Sequence, residues 1–307
     1  LRELMRIKQP GLITAGLWML GTPESSVYLA QGNRSSALIN AGLSHALPDY
    51  FQQLDAWGIR KEKIQHIILL HSHFDHVGLA PCLKRTYPDI TLYASARAWE
   101  LLGRPRAAGV INEYMLKVCR RVKGATEFLD AFDWQWRDDM HGEIVGQGSS
   151  LDLGGLTVEF HETPGHSSCS ISAYIPELRA LFPSDAVAIP YRDEYVIAAG
   201  SSFKKYQKSL DKLGRLDAAL ICADHYGYIM NEEAGRYIAE SKKAAGQMTH
   251  RLIEALKDNS DMGQTARRLV DVHFQLRPDY FVHPDILVGT YTQMLKQFAD
   301  DRQEGAI

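Results

Sequence analysis

The most constraining feature of the chain is "IILLHSHFDH", residues 67–76, where three histidines and an aspartate directly follow an apolar run. The longer stretch "IQHIILL" has the length and β-branched content of a buried strand. Side chains alternate along an extended chain, so we expect His71 and His73 on one side, with Asp75 and His76 where the chain turns into the next helix. Neutral imidazole and carboxylate groups are common metal ligands. The pattern therefore predicts a metal site at the end of a buried strand.

A purely structural interpretation of this motif is also possible. Asp75 could cap the following helix, and the histidines could be polar residues at a strand end. That interpretation explains any one of these residues taken alone. It does not explain the complete HxHxDH string, which favours metal binding.

Strand-like and helix-like segments alternate along the first 230 residues, which predicts an α/β fold. Short runs such as "SSVYLA" and "SSALINAG" are separated by turn signals, whereas "ALPDYFQQLDAWG" and "VGLAPCLKRTY" have helical spacing. Residues 104–141 predict a helical insertion. Residues 231–307 contain three segments of helical periodicity, which predict a C-terminal helical cap packed on a core of residues 1–230.

The charge pattern gives no indication of a nucleic-acid or membrane partner. The chain has 34 basic and 37 acidic residues, for a net charge of −3. A nuclease would need a basic groove, yet the paired basic residues Arg120-Arg121, Lys204-Lys205 and Lys242-Lys243 are scattered and offset by acidic ones. We therefore expect no nucleic-acid partner and no membrane partner.

The four cysteines are widely spaced and form no CxxC pair. This spacing suggests neither a disulfide framework nor a thiolate zinc site, so reduced, buried thiols are expected. The longest apolar runs are far shorter than the ~20 residues that cross a bilayer. A cytoplasmic location is the default expectation.

Three further ligand candidates follow other strand-like segments. His166 comes after a Thr-Pro-Gly turn in "TPGHSS", Asp185 lies in "FPSDA", and His225 lies in "ADHYG". Each is weak evidence alone, because a strand-end cap or a surface loop would explain it. Taken in order with the first motif, however, they supply the additional ligands that two ions require, and Asp185 could bridge both ions through its two oxygens.

With these residues in place, the chain resembles the metallo-beta-lactamase superfamily over roughly residues 12–228. The resemblance implies a four-layer αββα sandwich with metals at one edge of the β-layers. It also implies a ligand set for two ions. One ion would be held by His71, His73 and His166, the other by Asp75, His76 and His225, with Asp185 bridging them.

Two departures from the superfamily pattern narrow the function. Ser184 precedes the bridging aspartate where the superfamily usually has Gly. Zinc β-lactamases have Cys at the position of Asp185, so antibiotic hydrolysis is disfavoured. An acidic bridge instead resembles the glyoxalase II and thioesterase branch.

The C-terminal segment "PDYFVHPDILVGTYTQML" and the segment "YQKSLDKLGRL" resemble the quinolone-signal-response (PqsE-like) thioesterases. That resemblance implies a helix-covered pocket lined by Phe281 and Thr290, with Ile189 where that family has a functional acidic residue. Tyr195 and Phe203 are further candidates for a substrate wall. The alternative for Phe281 is that it belongs to the core, since apolar residues at helical spacing are more typical of packing. The alternative for Tyr195 and Phe203 is that they simply cover the sheet.

The predicted function is a dinuclear-metal hydrolase in which a metal-bound hydroxide attacks a thioester or ester carbonyl, most simply in an acyl thioesterase. Asp75 is the predicted catalytic residue, because it could bind an ion and orient the nucleophile. The expected cofactors are two divalent ions, iron or zinc, with manganese also compatible. The expected partner is a small acyl substrate.

Two alternatives remain at the sequence level. One is a lactonase resembling the acyl-homoserine lactone hydrolases, which share these ligands. The other is a regulatory protein with a metal site of low turnover, whose helical face would bind a protein partner or a second copy of the chain.

Overall fold

The computed structural model describes residues 6–258 and 261–303. The strands are β1 (Arg6–Ile7), β2 (Gly11–Thr14), β3 (Leu17–Thr22), β4 (Ser25–Gln31), β5 (Ser36–Ile39), β6 (Ile64–Ile68), β7 (Thr91–Ala94), β8 (Glu143–Ile144), β9 (Ser150–Asp152), β10 (Thr157–Glu162), β11 (Ile171–Ile175), β12 (Ala180–Phe182), β13 (Ile189–Tyr191), β14 (Glu194–Val196), β15 (Leu220–Cys222) and β16 (Tyr228–Met230). The helices are α1 (Leu47–Ala56), α2 (Ala80–Thr86), α3 (Ala96–Leu102), α4 (Ala107–Cys119), α5 (Ala125–Leu129), α6 (Phe203–Leu213), α7 (Glu232–Asp258), α8 (Met262–Leu276) and α9 (Pro284–Gln303).

Most strands form two mixed sheets of seven strands each. The first sheet has the order β2-β3-β4-β5-β6-β7-β8, antiparallel from β2 to β5 and parallel from β5 to β8. The second has the order β1-β16-β15-β12-β11-β10-β9, in which only the β12–β15 pair is parallel. Strands β13 and β14 form a separate hairpin.

The two sheets pack face to face across a core of apolar side chains. Strand β10 shows the pattern that produces this core, because Val158 and Phe160 are buried while the alternating residues Thr157, Glu159 and His161 are only partly buried. Tyr28 of β4 contacts Phe182 of β12 edge to face, with ring centroids 5.5 Å apart. Other buried side chains, such as Leu54 of α1, pack between sheets and helices. The predicted αββα sandwich is confirmed.

The helical insertion and the C-terminal helices lie against each other. The segment 104–141 contains α4 and α5, and Arg121 between them donates hydrogen bonds to the carbonyls of Val282 and Tyr280, at 2.9 and 3.1 Å. The C-terminal region consists of α7, α8 and α9, and Phe298 of α9 packs on Phe203 of α6. Within the described ranges no helix combines the length and apolar character needed to cross a bilayer.

The topology brings four strand ends to one edge of the sandwich. Strands β10, β12 and β15 run in the same direction, because β10 and β12 are each antiparallel to β11 and β12 is parallel to β15. Strand β6 of the other sheet reaches the same edge, where the carbonyl of Leu70 accepts a hydrogen bond from the amide of Ile171 at 2.9 Å. The loops that follow these four strands are therefore neighbours.

Candidate metal centre

The HxHxDH motif follows β6 directly. The strand ladder ends at Ile68, and residues Phe74–His76 form a 3₁₀ turn. His71 and His76 are fully buried, and Asp75 is nearly so. Helix α2 begins only at Ala80 and has no side-chain cap. The interpretation of Asp75 as a helix cap is therefore wrong.

The other three candidates follow β10, β12 and β15. His166 is placed by Gly165, whose φ of +142° suits glycine and whose α-carbon lies so close to Tyr206 that an added Cβ would meet backbone atoms at 2.3 Å. Asp185 lies in a 3₁₀ turn after β12, and His225 lies in the turn between β15 and β16. All three side chains are buried.

The carboxylate of Asp185 lies at the centre of the cluster. Its Oδ2 is 3.3 Å from Nε2 of His76 and 3.3 Å from Nε2 of His166, and its Oδ1 is 3.6 Å from Nε2 of His225. Asp75 Oδ2 is 3.6 Å from Nε2 of His76 and 3.7 Å from Nε2 of His225. Asp185 thus reaches histidines on both sides, as a bridging ligand would.

The structure brings all seven predicted ligands together. Within each of three sets, the potential ligand atoms lie within 4.8 Å of one another. His71, His73 and His166 form the first set, which we call the three-histidine group. Asp75, His76 and His225 form the second, which we call the aspartate group. The third set contains His71, His76 and Asp185.

Hydrogen bonds at the outer nitrogens hold the histidine rings in place. Nδ1 of His71 lies 3.1 Å from the Ser184 hydroxyl, and Nδ1 of His76 lies 3.0 Å from Asp224 Oδ2. Backbone carbonyls accept from the other two: Ala198 from Nδ1 of His166 at 2.5 Å, and Glu24 from Nδ1 of His225 at 2.7 Å. Occupation of Nδ1 leaves Nε2 of each ring directed into the site.

The inner nitrogens have the properties expected of metal ligands. Nε2 of His71, His76 and His225 is buried without a hydrogen-bond partner within the described parts of the chain. Nε2 of His166 and Nδ1 of His73 face each other at 2.9 Å. Buried nitrogens are normally paired, so a set of unpaired ones converging on two carboxylates fits a metal site. A cation would satisfy them all.

The buried rings of the three-histidine group are held neutral by their surroundings. His73 is the solvent-exposed member of the group. Burial lowers the pKa of His71 well below its usual value and also lowers the pKa of His166. Neutral imidazole is the form that binds a metal, so these rings need lose no proton at neutral pH.

The carboxylates reverse this effect at His76. Burial disfavours its charge, but Asp75 and Asp185 together raise the pKa of His76 well above its usual value. Burial alone would raise the pKa of Asp185, whereas the imidazoles of His76, His166 and His225 bring it well below the usual range. The metal-free cluster thus stabilises an ionised Asp185 beside a protonated His76.

A cavity of about 410 Å³ adjoins the three-histidine group. His73 and His166 form part of its wall, and helix α9 contributes another part. The remaining lining has no charged side chain among its described residues and mixes hydroxyl and amide groups with apolar ones. It consists of Ser72, Leu101, Ser167, Ser168, Ala198, Gly200, Ser201, Thr290, Gln293 and Gln297.

The five predicted pocket residues occupy different places. Thr290 lines this cavity, and the Phe281 ring lies against His225 with centroids 4.8 Å apart. Tyr195 lines a separate cavity of about 820 Å³ beside α7. Phe203 is fully buried against α9, and Ile189 is buried in β13. Only Thr290 and Phe281 are therefore brought to the metal cluster by the contacts described here.

Sequence inspection missed several residues around the ligands. Asp224 directly precedes His225 in "ADHYG", and a carboxylate next to a predicted ligand histidine is the signal that could have drawn attention to it. Gln293 and Gln297 follow Thr290 at helical spacing and share its face of α9. The carbonyls of Glu24 and Ala198 could not have been found, because any residue supplies a carbonyl.

The sequence model of the metallo-beta-lactamase superfamily matches residues 20–225, about two thirds of the chain. The chain belongs to the metallo-beta-lactamase superfamily. Members of this superfamily are generally hydrolases, and the cluster of histidines and aspartates fits the metal site that they typically contain. The match ends at His225, the last of the predicted ligands.

Individual relatives agree with this assignment at lower similarity. The metallo-beta-lactamase fold-containing protein ST1585 of Sulfurisphaera tokodaii is 27% identical over 214 residues, which cover 67% of this chain and 75% of the relative. A hydroxyacylglutathione hydrolase of Rhizobium meliloti is 24% identical over 53% of this chain and 52% of its own length. The structure of TTHA1429, a metallo-beta-lactamase family protein of Thermus thermophilus, superposes with a TM-score of 0.66 at 20% identity, over 96% of both chains.

Proposed function

We propose that this protein is a dinuclear metal-dependent hydrolase that cleaves a thioester or ester bond, with an acyl thioester as the preferred substrate. The position of Asp185 carries the proposal. Its two oxygens face histidines of both ligand groups, at 3.3–3.6 Å, so one carboxylate can be shared by two ions. Shared carboxylates are typical of paired hydrolytic metal sites.

Divalent ions held by these residues would supply Lewis acidity at a carbonyl oxygen and would acidify a water molecule. The chain's own contribution is orientation. Asp75 presents Oδ2 to the same space as Asp185, where it can accept a hydrogen bond from an attacking water and direct the other lone pair at the substrate. A thiolate leaving group needs little protonation, so a thioester makes the least demand on a general acid.

The uncharged cavity supports a substrate with a neutral polar arm. None of the described residues that line it has an Asp, Glu, Lys or Arg side chain, while hydroxyl and amide groups are abundant. Arg97 approaches from outside, donating to Ser168 at 3.4 Å, but it is ion-paired with Glu100. The amide groups of a pantetheine-type thioester could be hydrogen-bonded here, whereas the carboxylates of glutathione would find no cationic partner in the lining.

The test is hydrolysis by protein reconstituted separately with Fe(II), Mn(II) and Zn(II). The panel contains acyl-pantetheine, acyl-CoA and acylglutathione thioesters and acyl-homoserine lactones that share one acyl group. We expect turnover of the pantetheine and CoA thioesters to exceed that of the glutathione thioester. Faster lactone turnover would replace the thioesterase proposal with a lactonase, and metal binding without turnover of any substrate would contradict hydrolysis and favour a regulatory role.

A further inference from the structure

Ser184 adopts a backbone conformation that serine disfavours. It follows β12, is almost fully buried, and has a φ of +50°, in the left-handed region where glycine has no steric penalty. A non-glycine residue stays in this region only where contacts with its surroundings fix the conformation. The contacts of the Ser184 hydroxyl are therefore informative.

The hydroxyl connects ligands from both groups. His71 Nδ1 lies 3.1 Å from Ser184 Oγ, and Ser184 Oγ donates to Asp224 Oδ2 at 2.6 Å. The same Asp224 oxygen accepts from Nδ1 of His76 at 3.0 Å. Two inward-facing rings are thus anchored, one directly and one through a hydroxyl, on a single carboxylate.

Asp224 is a residue whose burial would by itself destabilise the fold. It is 2% exposed, and its second oxygen, Oδ1, is buried without a hydrogen-bond partner among the described residues. A buried carboxylate with an unpaired oxygen disfavours folding. The presence of this carboxylate is explained if it orients the two histidine rings.

We propose that Ser184 and Asp224 are positioning residues that fix the rings of His71 and His76 for metal binding. The chain of donors has one direction: His71 Nδ1–H to Ser184, Ser184 O–H to Asp224, and His76 Nδ1–H to Asp224. This direction leaves Nε2 of both rings free for the metal. The proposal rests on the metal site of the proposed function but not on its substrate.

Two substitutions separate the hydroxyl from the backbone conformation. Ser184→Ala removes the hydroxyl and keeps the disfavoured φ, whereas Ser184→Gly removes the hydroxyl and relieves it. The matched control is Asn231→Gly, at an exposed position with a φ of +59°. Zn(II) affinity is measured by competition with a fluorescent chelator, and the melting temperature is measured on metal-free protein.

We expect both Ser184 variants to weaken Zn(II) binding at one position by about 10–100-fold, although the Gly variant melts at a higher temperature than the Ala variant. Asn231→Gly should leave Zn(II) affinity unchanged. Unchanged affinity in both Ser184 variants would overturn the proposal, as would an affinity that follows the melting temperature instead of the hydroxyl.

A second measurement does not depend on metal or turnover. In metal-free wild type, long-range ¹H–¹⁵N spectra should show His71 as the Nδ1–H tautomer, and both Ser184 variants should show a mixture of tautomers. The same tautomer in all three proteins would contradict the positioning role. A wild type that binds Zn(II) but hydrolyses no thioester would refute the proposed function and leave this proposal to be decided by affinity.

Discussion

The two groups of ligands in the metal centre differ in charge. The three-histidine group has only imidazoles, and burial lowers the pKa of its two buried members, His71 and His166. The aspartate group contains Asp75 and, in His76, a ring whose pKa is raised by the surrounding carboxylates. One group is therefore prepared for a cation at neutral pH, whereas the other must release a proton when a cation binds.

The largest effect is expected where the two groups meet. Asp185→Asn removes the only charge that faces histidines of both groups among the contacts described above, so both metal positions should weaken. Substitution of a residue that only orients a ligand typically lowers metal affinity or activity by about 10–100-fold. Loss of a shared ligand should therefore reduce thioester hydrolysis by more than about 100-fold.

The control for this variant is Asp211→Asn, an exposed carboxylate on α6 that pairs with Lys242. Metal content, hydrolysis and the circular dichroism spectrum are measured on both variants. Wild-type turnover in a folded Asp185→Asn protein would remove the basis for a shared carboxylate.

The next largest effect separates the groups. His73→Ala should empty only the three-histidine group, and His225→Ala only the aspartate group, because each ring belongs to one group. Each variant should then retain about one metal ion per chain where wild type binds about two, as measured by elemental analysis. Complete metal loss in either variant would mean that the groups bind as one cooperative unit.

A smaller effect is expected in the pH dependence of metal-free stability. Histidines with lowered pKa values stay neutral in the folded chain while the unfolded chain takes up protons below about pH 6.5. Stability should therefore fall with decreasing pH, by about 1.4 kcal/mol per pH unit for each such group. His76 acts in the opposite direction, since its contribution is complete below about pH 6.5 and is lost as the pH rises through its raised pKa.

Urea denaturation between pH 5 and pH 9 in the presence of chelator measures both effects. His71→Gln should reduce the slope on the acid side, and His76→Gln should reduce it on the alkaline side. Equal slopes in wild type and both variants would mean that the two groups do not differ in protonation.

Much of this centre could be predicted from the sequence because each ligand lies next to a short segment with a recognisable strand pattern. His71 and His73 alternate beside a strand, and His166, Asp185 and His225 each follow a strand whose apolar pattern is clear. The sheet topology then brings those strand ends together. The end of β6 at Ile68 was less predictable, because Leu69 and Leu70 are as apolar as the strand residues before them. These two residues lead the chain towards the second sheet, where Leu70 accepts a hydrogen bond from Ile171.

The outer residues could be predicted only in part, for physical reasons. The Gly that is usual at the position of Ser184 is typical of a left-handed conformation, but it does not show which groups the serine hydroxyl contacts. The partners of Asp224, His76 and Ser184, lie in the turns after β6 and β12, distant segments that only folding brings together. The sequence likewise left open whether Phe203 and Tyr195 form a substrate wall or cover the sheet. Phe203 packs on Phe298, and Tyr195, in strand β14, lies beside Tyr237.

The smallest predicted effect concerns access to the two groups. The cavity opens beside His73 and His166, whereas Phe281 covers His225, so substrate should approach from the three-histidine side. Gln293→Ala should then raise the KM of an acyl-pantetheine thioester by about 2–10-fold, the worth of one hydrogen bond, with kcat nearly unchanged. Gln247→Ala, in the separate cavity beside α7, is the control and should leave KM unaltered. A KM that responds to Gln247 but not to Gln293 would place the substrate in that other cavity, away from the predicted ligands.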